Sequence, residues 1–509
     1  MSIHFLRGST AAALCILSTQ AAWADLSAQD VWGEWRDYLA STGYEVTGGE
    51  SMSGNTLTLT DVTLTMPVPD EDASVSILIP SMSLTENGDG TVNLDYPSPM
   101  PVRITVTGGP EGDGSGELVV THSGSSMKIS GDPTNMTYEH SSANTTLTLG
   151  EVNVEGDILP ADVARVMISL DQTAGTTKME LGGDVRNFDQ TFSAASLSYD
   201  MAFKDPESSD NGSFKGALQG VSMNATGAIP KDMDLSDMNA MLKAGFQMNG
   251  GFAFTGGNSE INGTGDGQSF SAQTSSQGGS FESGLNATRL TYGLTGKGTR
   301  ISAEGAELPF PVELGLAETA FRIDIPITRS DDPQDFGFLL KLGEFTMSDM
   351  LWAIFDPAGN LPRDPASITL DLAGKVKLLL DIMDPASAEA IANSPVPPGE
   401  LHAVSIRDLL VQAVGAKLTG VGAFTFDNSD MQTIPGMPRP EGAIDLTLDG
   451  ANALIDNLVA MGIISDQEVM PARMMMGMFA VPGDGPDSLK SKIEINAQGH
   501  ILANGQRIK

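Results

Sequence analysis

Thiols are almost missing from this chain. Its one cysteine, Cys15, lies in an N-terminal segment read below as a cleaved leader, so the remainder has no disulfide, no cysteine nucleophile and no thiolate metal site. Basic side chains are also few: 28 Lys and Arg stand against 65 Asp and Glu, for a net charge of -37. Nucleic-acid binding neutralises phosphates with Lys and Arg, so that class is excluded. Anionic membrane surfaces would repel the chain as a whole, and the charge serves solubility through self-repulsion. Aromatics make up 6%, which leaves few platforms for stacking sugars, so the many carboxylates do not read as a glycosidase pair. Past the leader, no apolar run approaches the roughly 20 residues of a spanning helix.

Catalytic and ligand motifs are missing as well. Of five histidines, His4 belongs to the leader, and His122, His140, His402 and His500 are scattered with no H-x-x-x-H or H-E-x-x-H spacing. There is no G-x-S-x-G elbow, P-loop or dinucleotide fingerprint. The stretch "GDGSGE" at 112–117 lacks a lysine and reads as a surface turn. "TENGDGTVNLDY" at 85–96 has the centre of a calcium loop, with Asn87, Asp89 and Gly90 in place. It fails at both ends, where Thr85 and Tyr96 stand, and reads as a hairpin turn. No catalytic, cofactor-binding or metal-ligating residue is assigned, ligand-binding residues are unknown, and the chain is not expected to be an enzyme.

What is present begins with "MSIHFLRGSTAAALCILSTQAAWAD". Arg7 precedes a short apolar run that ends in Ala22-Trp23-Ala24, an A-x-A site. Residues 1–24 therefore read as a secretory signal peptide, with the mature chain starting at Asp25. Leu14 before Cys15 argues against a lipoprotein. The mature chain is expected to be exported, in a bacterial periplasm, with no retained transmembrane anchor.

"LSAQDVWGEWRDYLASTG" predicts a helix. Ser27 and Asp30 form a capping box, Val31, Trp35, Tyr38 and Leu39 an apolar face, and Gly43 the end. From Tyr44 to about 230 the texture is β, with turn-rich stretches such as "GGPEGDGSGE" and "DPESSDNGS" between strands. "TLTLTDV" at 56–62 and "TLTLGEV" at 146–152 each alternate and then shift phase by one residue. Such a slip requires a β-bulge or a step between strands, and its recurrence suggests two equivalent bends in a long coiled sheet. Residues 231–246 give a weaker helix with Leu235, Met238, Met241 and Leu242 on one side. The Gly/Ser/Asn-rich stretch after it reads as short strands joined by turns.

Beyond about 310 short helices mix with strands. "MSDMLWAIFDP" is a helix capped by Ser348 and stopped before Pro357. "ASITLDLAGKVKLLLDIM" reads as two strands with a turn at Gly374, and "DPASAEAIANS" as a short helix with Pro385 in its first turn. "NALIDNLVAMGII" is helical, with Leu454, Ile455, Leu458 and Met461 on one face. "SDQEVMPARMMMGMFA" is a second helix that either starts near Pro471 or follows a separate turn at 465–470. Its Met474, Met475, Met476 and Met478 read as helix core or as the lining of an apolar site. Turns at Gln498-Gly499 and Asn504-Gly505 close the chain.

Several of these stretches, "FDPAGNLPRDPASITLDLAGK", "GVGAFTFD", "NALIDNLVAMGI", "ARMMMGMFAVPGDG" and "KIEINAQGHILANGQRI", with "DVWGEWRDYLASTGYEV" near the start, resemble the "domain of unknown function 2125" family of exported bacterial proteins. More loosely, strands followed by a helix pair and a strand ending in "NG" are similar to the C-terminal part of AsmA-like envelope proteins. That likeness implies a long curled sheet with an apolar groove and a link to lipid handling. The first family has no assigned activity, so no site residue transfers from it.

The expected fold is mainly β: a long twisted antiparallel sheet, curled into an open groove or folded into two packed layers, with a few short helices. Residues 25–310 form an N-terminal β-rich region with its docking helix, and 311–509 a C-terminal β-rich region with short helices. The expected role is a periplasmic binding module for a hydrophobic ligand such as a lipid. The alternative is a structural or envelope-assembly protein whose sheet edges pair with a partner. No cofactor is implied.

Overall fold

The computed structural model describes residues 25–68, 72–109, 112–231, 237–387, 391 and 397–509. Residues 1–24, read above as a signal peptide, Leu235 and most of the helix expected at 384–394 lie outside them. The described strands form one 27-stranded antiparallel sheet that runs as a meander from Glu45–Ser53 to the C-terminal hairpin. Helix α1 (Ala28–Ser41) opens with the expected capping box: Ser27 accepts from the Asp30 backbone and Asp30 from that of Ser27. Strands Arg289–Gly305 and Val312–Pro326 pair across residue 310.

The phase slip after Leu59 is explained by Asp61, whose φ is 51°. A left-handed residue interrupts the pleat, so Val62, three positions after Leu59, returns to the same face, and Leu57, Leu59 and Val62 are all buried together. The same one-residue slip occurs in strand after strand along a line that crosses the sheet. Gln172 (φ 48°), Gly220 (φ 57°), Gly298 (φ 56°) and Glu344 (φ 53°) mark it in later strands. Other strands cross the line unbroken at ordinary φ, at Ala143 and Ala195, and elsewhere the strand is broken. Strand Asn211–Pro230 pairs with Gln247–Phe254 on one side of the line and Gly256–Gly265 on the other, the two separated by Thr255. On the polar side of this seam Asp171 accepts from Asn144 and Ser196, at 2.8 Å each, and ties three strands. The Asn144 amide and then the Ser196 hydroxyl hold its carboxyl below the usual range.

The recurrence at 146–152 is not an equivalent bend. Its slip is a local bulge in which Gly150 and Glu151 oppose Glu117, whereas that strand crosses the seam earlier, at Ala143, opposite Gln172. The two sequences look alike because any bulge that must keep Leu and Val on one face leaves the same phase shift.

Other expectations are corrected. "GDGSGE" is not a turn but part of strand Gly112–Ser123, paired with Met100–Gly109; its neighbours supply the ladder that its composition disfavours. Strand Ala366–Leu378 runs straight through Gly374, held between two partners, so there is no turn there. Helices α2 (Met238–Lys243) and α3 (Asp349–Phe355) follow; Ser348 occupies the N-cap of α3, but its hydroxyl makes no capping bond. After α4 (Ala451–Ala460), helix α5 (Asp466–Phe479) is continuous through Pro471. It starts at a Ser465–Glu468 capping box, and the missing Pro471 N–H costs it one intrahelical bond near its N-terminal end. The turn at Asn504-Gly505 has both residues at positive φ, 49° and 82°, the backbone of a type I′ hairpin.

Near the C-terminus Arg439 binds Asp427 at 2.8 Å, Asp430 at 3.1 Å and the Ala497 carbonyl at 2.7 Å, pinning loop 428–438 to the last hairpin. The Thr433 hydroxyl, backbone N–H groups and Arg439 lower the Asp430 pKa to about 2. A depressed carboxylate stabilises the fold above its unfolded pKa of about 3.9 and loses that contribution as pH falls through the folded value. Hydrogen exchange in 428–438, corrected for intrinsic rates, should stay slow at pH 4 and quicken towards pH 2. Asp430→Asn should remove that step.

Asp61→Val should destabilise the chain by about 1–2 kcal/mol, because a β-branched residue is a poor fit at positive φ. Asp61→Gly should be neutral or better. Urea unfolding followed by the fluorescence of Trp32 and Trp35 reads the difference.

Candidate functional site: an apolar face without charge

The seam matters because side-chain parity would otherwise send half of each apolar set to the wrong side. With the slip, both halves of the sheet present one apolar face. Following the register from strand Asn211–Pro230 to Ser488–Ile495, this face has no Asp, Glu, Lys or Arg among the described strand residues. The charges stand on the other face, where cross-strand pairs form: Lys215–Glu260, Arg289–Asp324 and Lys375–Asp335. Such exposed pairs add little stability, and here they mark which side faces water.

The apolar face is sealed at its N-terminal end. Leu26, Ala28, Val31 and Trp32 of the α1 segment bury against Leu57, Leu59, Leu84, Val92, Ile129 and Met136. Trp35 Nε1 donates to Tyr138 Oη at 3.1 Å, and Trp32 Nε1 to Glu50 at 2.7 Å. Arg186, 5% exposed at the side chain, donates through Nε to Glu34 at 2.9 Å and lies over the Tyr38 ring. Its Nη1 is buried with no partner. Beside α1 a cavity of about 400 Å³ is lined by Trp35, Tyr38 and Leu39 of the helix and by Val62, Leu64 and Met82 from both sides of the seam. The cavity lies between α1 and the apolar face of the sheet.

Further along, the face is not sealed. Phe203, Phe214, Met248, Phe270, Leu294 and Ile301 all stand on it, and Phe203 is 63% and Phe270 50% exposed. An aromatic row crosses four strands: Phe281–Tyr292 at 5.1 Å, then Tyr292–Phe321 and Phe321–Phe338 at 5.9 Å between ring centres, all edge to face. At the far end α5 lies over Leu446, Leu448, Leu489 and Ile493 and leaves a cavity of about 640 Å³ lined in part by Met475, Met476 and Phe479.

The methionines of α5 are not core. Val469 is the buried residue of the helix, while Met474, Met475 and Met478 are each more than half exposed. The histidines stay apart. His122 Nε2 lies 3.1 Å from the Tyr96 carbonyl, His140 stacks on Phe192, and His402 stands near Glu400; burial pushes the His140 pKa down. Among the described residues no group of three or more His, Asp or Glu is placed to hold a metal ion, and no helix is long and apolar enough to cross a membrane. Asp89 accepts from Thr91 inside a hairpin turn, and the Thr91 hydroxyl lowers its pKa. Composition hid this site: each apolar residue on the face is ordinary, and only the register lines them up.

Glu34→Ala leaves the buried Arg186 without its carboxylate and should cost about 3 kcal/mol. Arg36→Ala breaks an exposed pair with Glu50 and should cost under about 1 kcal/mol. Comparing the two in tryptophan-monitored urea melts tests whether Arg186 anchors α1.

The chain matches no curated protein and no solved structure. A family model described as "Uncharacterized protein conserved in bacteria (DUF2125)" matches residues 251–499, from the middle of the exposed face to the last turn; the resembling stretch 30–46 lies outside that match. Residues 251–499, just under half of the chain, are therefore similar to the DUF2125 family.

Proposed function

We propose that this is an exported, periplasmic binding module that holds a hydrophobic ligand, such as a lipid, along the charge-free face of its bent sheet. The observation behind this reading is the face itself: apolar side chains from strand after strand, many exposed, among them only uncharged polar residues such as Ser259 and Thr274, with the charges on the opposite side of the same strands. A contiguous exposed apolar surface of this extent in water marks an interaction site. The absence of charge and the row of ring edges favour hydrocarbon over a polar solute. The looser likeness to AsmA-like envelope proteins points the same way. The reading assigns no catalytic step.

Mass spectrometry of organic extracts from the purified protein should find co-purified lipid. Leu294→Glu, at an exposed position in the middle of the face, should fold as the wild type does and lose most of that lipid. Lipid-free wild-type protein, or full lipid content in Leu294→Glu, would overturn the reading.

A second reading rests on strand Glu45–Ser53, which pairs on one side only and is exposed along nearly its whole length. Such an edge can accept a partner strand, making the protein an envelope-assembly element. Proline substitution at Ser51 should then abolish partner capture in crosslinking; unchanged capture would remove this alternative.

A further inference from the structure

The chain is rich in glycine, with 57 residues, and holds 19 phenylalanines. The two are placed together on the apolar face. Phe203 stands directly across from Gly212, Tyr199 from Gly216 and Phe188 from Gly227. Phe270 stands across from Gly263, Phe254 from Gly279 and Phe336 from Gly374. In each pair the ring lies over its glycine. A Cβ added to Gly227 would come within 2.6 Å of Phe188 Cε1, one added to Gly279 within 3.0 Å of Phe254 Cε1, and one added to Gly374 within 2.5 Å of Phe336 Cε1.

Rings standing upright on this face meet each other, as Phe281, Tyr292, Phe321 and Phe338 do edge to face, and take up the space above the strands. Rings laid flat on glycine occupy the depth of the missing side chain and leave the space above free. Glycine weakens a strand interior, and a ring covering it offsets part of that loss. We infer that these cross-strand glycine–aromatic pairs are the device that keeps the apolar face open, and that they set how thick a hydrocarbon layer it accepts. This rests on the binding reading above and names the residues that determine its capacity. Where the rings lie over their glycines, a low floor with no charge suits straight alkyl chains laid against it.

Gly212 and Gly263 give the cleanest test. The three atoms nearest a Cβ on Gly212 all belong to the Phe203 ring. At Gly263 the two nearest belong to Phe270, and the next, a backbone oxygen, is 3.3 Å away. Valine at either position therefore displaces chiefly the ring. The probe is N-phenyl-1-naphthylamine, a neutral apolar fluorophore, titrated onto delipidated full-length mature protein. The Gly212→Val, Gly263→Val double variant should bind at least twofold fewer probe molecules at saturation. Adding Phe203→Ala and Phe270→Ala in that background should restore the capacity. Circular dichroism and the melting midpoint identify misfolding; if valine unfolds the chain, alanine at both glycines replaces it. Wild-type binding with unchanged capacity in the folded double variant would sink the inference and leave the binding reading standing. Wild-type protein that binds no probe would remove both. Independently of any ligand, the Hα signals of Gly212 and Gly263 in glycine-labelled protein should be shifted upfield by the overlying rings, and normal shifts there would overturn the geometry.

Discussion

The constraint on which this protein depends is the twofold period of the β-strand. Side chains alternate strictly, so a long strand that bends must either break or lose count. Here the chain loses count by one residue at the same place in strand after strand. Asp61, Gln172, Gly220, Gly298 and Glu344 adopt positive φ on that line, and at Thr255 the strand breaks there. Because neighbours slip together, the ladder survives on both sides, and one apolar face continues across the bend. Without the shared slip, Leu57 and Val62 could not both be buried under α1.

From that follows an unusual distribution of burial. Among the described residues the conventional core lies where α1 covers the apolar face, held by Arg186–Glu34 and the two indole hydrogen bonds. Beyond strand Asn211–Pro230 few apolar side chains are fully buried, Ile327 and Leu378 among them, and the sheet is stabilised chiefly by its own ladders and cross-strand pairs. Low aromatic content and abundant glycine, which look like a weak composition for a core, suit a sheet in which several rings lie over glycines of the next strand.

Much of the fold was legible in the sequence. Alternation and turn chemistry marked most strands, the Ser27–Asp30 capping box gave α1, and Asn504-Gly505 gave the last hairpin. The errors share a cause. "GDGSGE" and Gly374 were read by local propensity, yet both sit between partners that supply hydrogen bonds regardless of side chain. Pro471 was read as a boundary, yet capping by Glu468 starts the helix five residues earlier. The Met cluster suggested core because methionine is apolar, and periodicity cannot report whether anything covers a helix.

By itself the sequence determined the class of structure and the chemistry of its surfaces: antiparallel β, strongly acidic, with a single cysteine, its apolar residues set at strand spacing. Local patterns suffice for this because alternation and turn residues act over a few positions. Only the tertiary structure decided that the phase slips fall on one line, that the apolar residues of many strands share one uncovered face, and that rings and glycines meet across strands. Those facts depend on register between segments distant along the chain, and register is fixed by pairing, which no single stretch of residues contains.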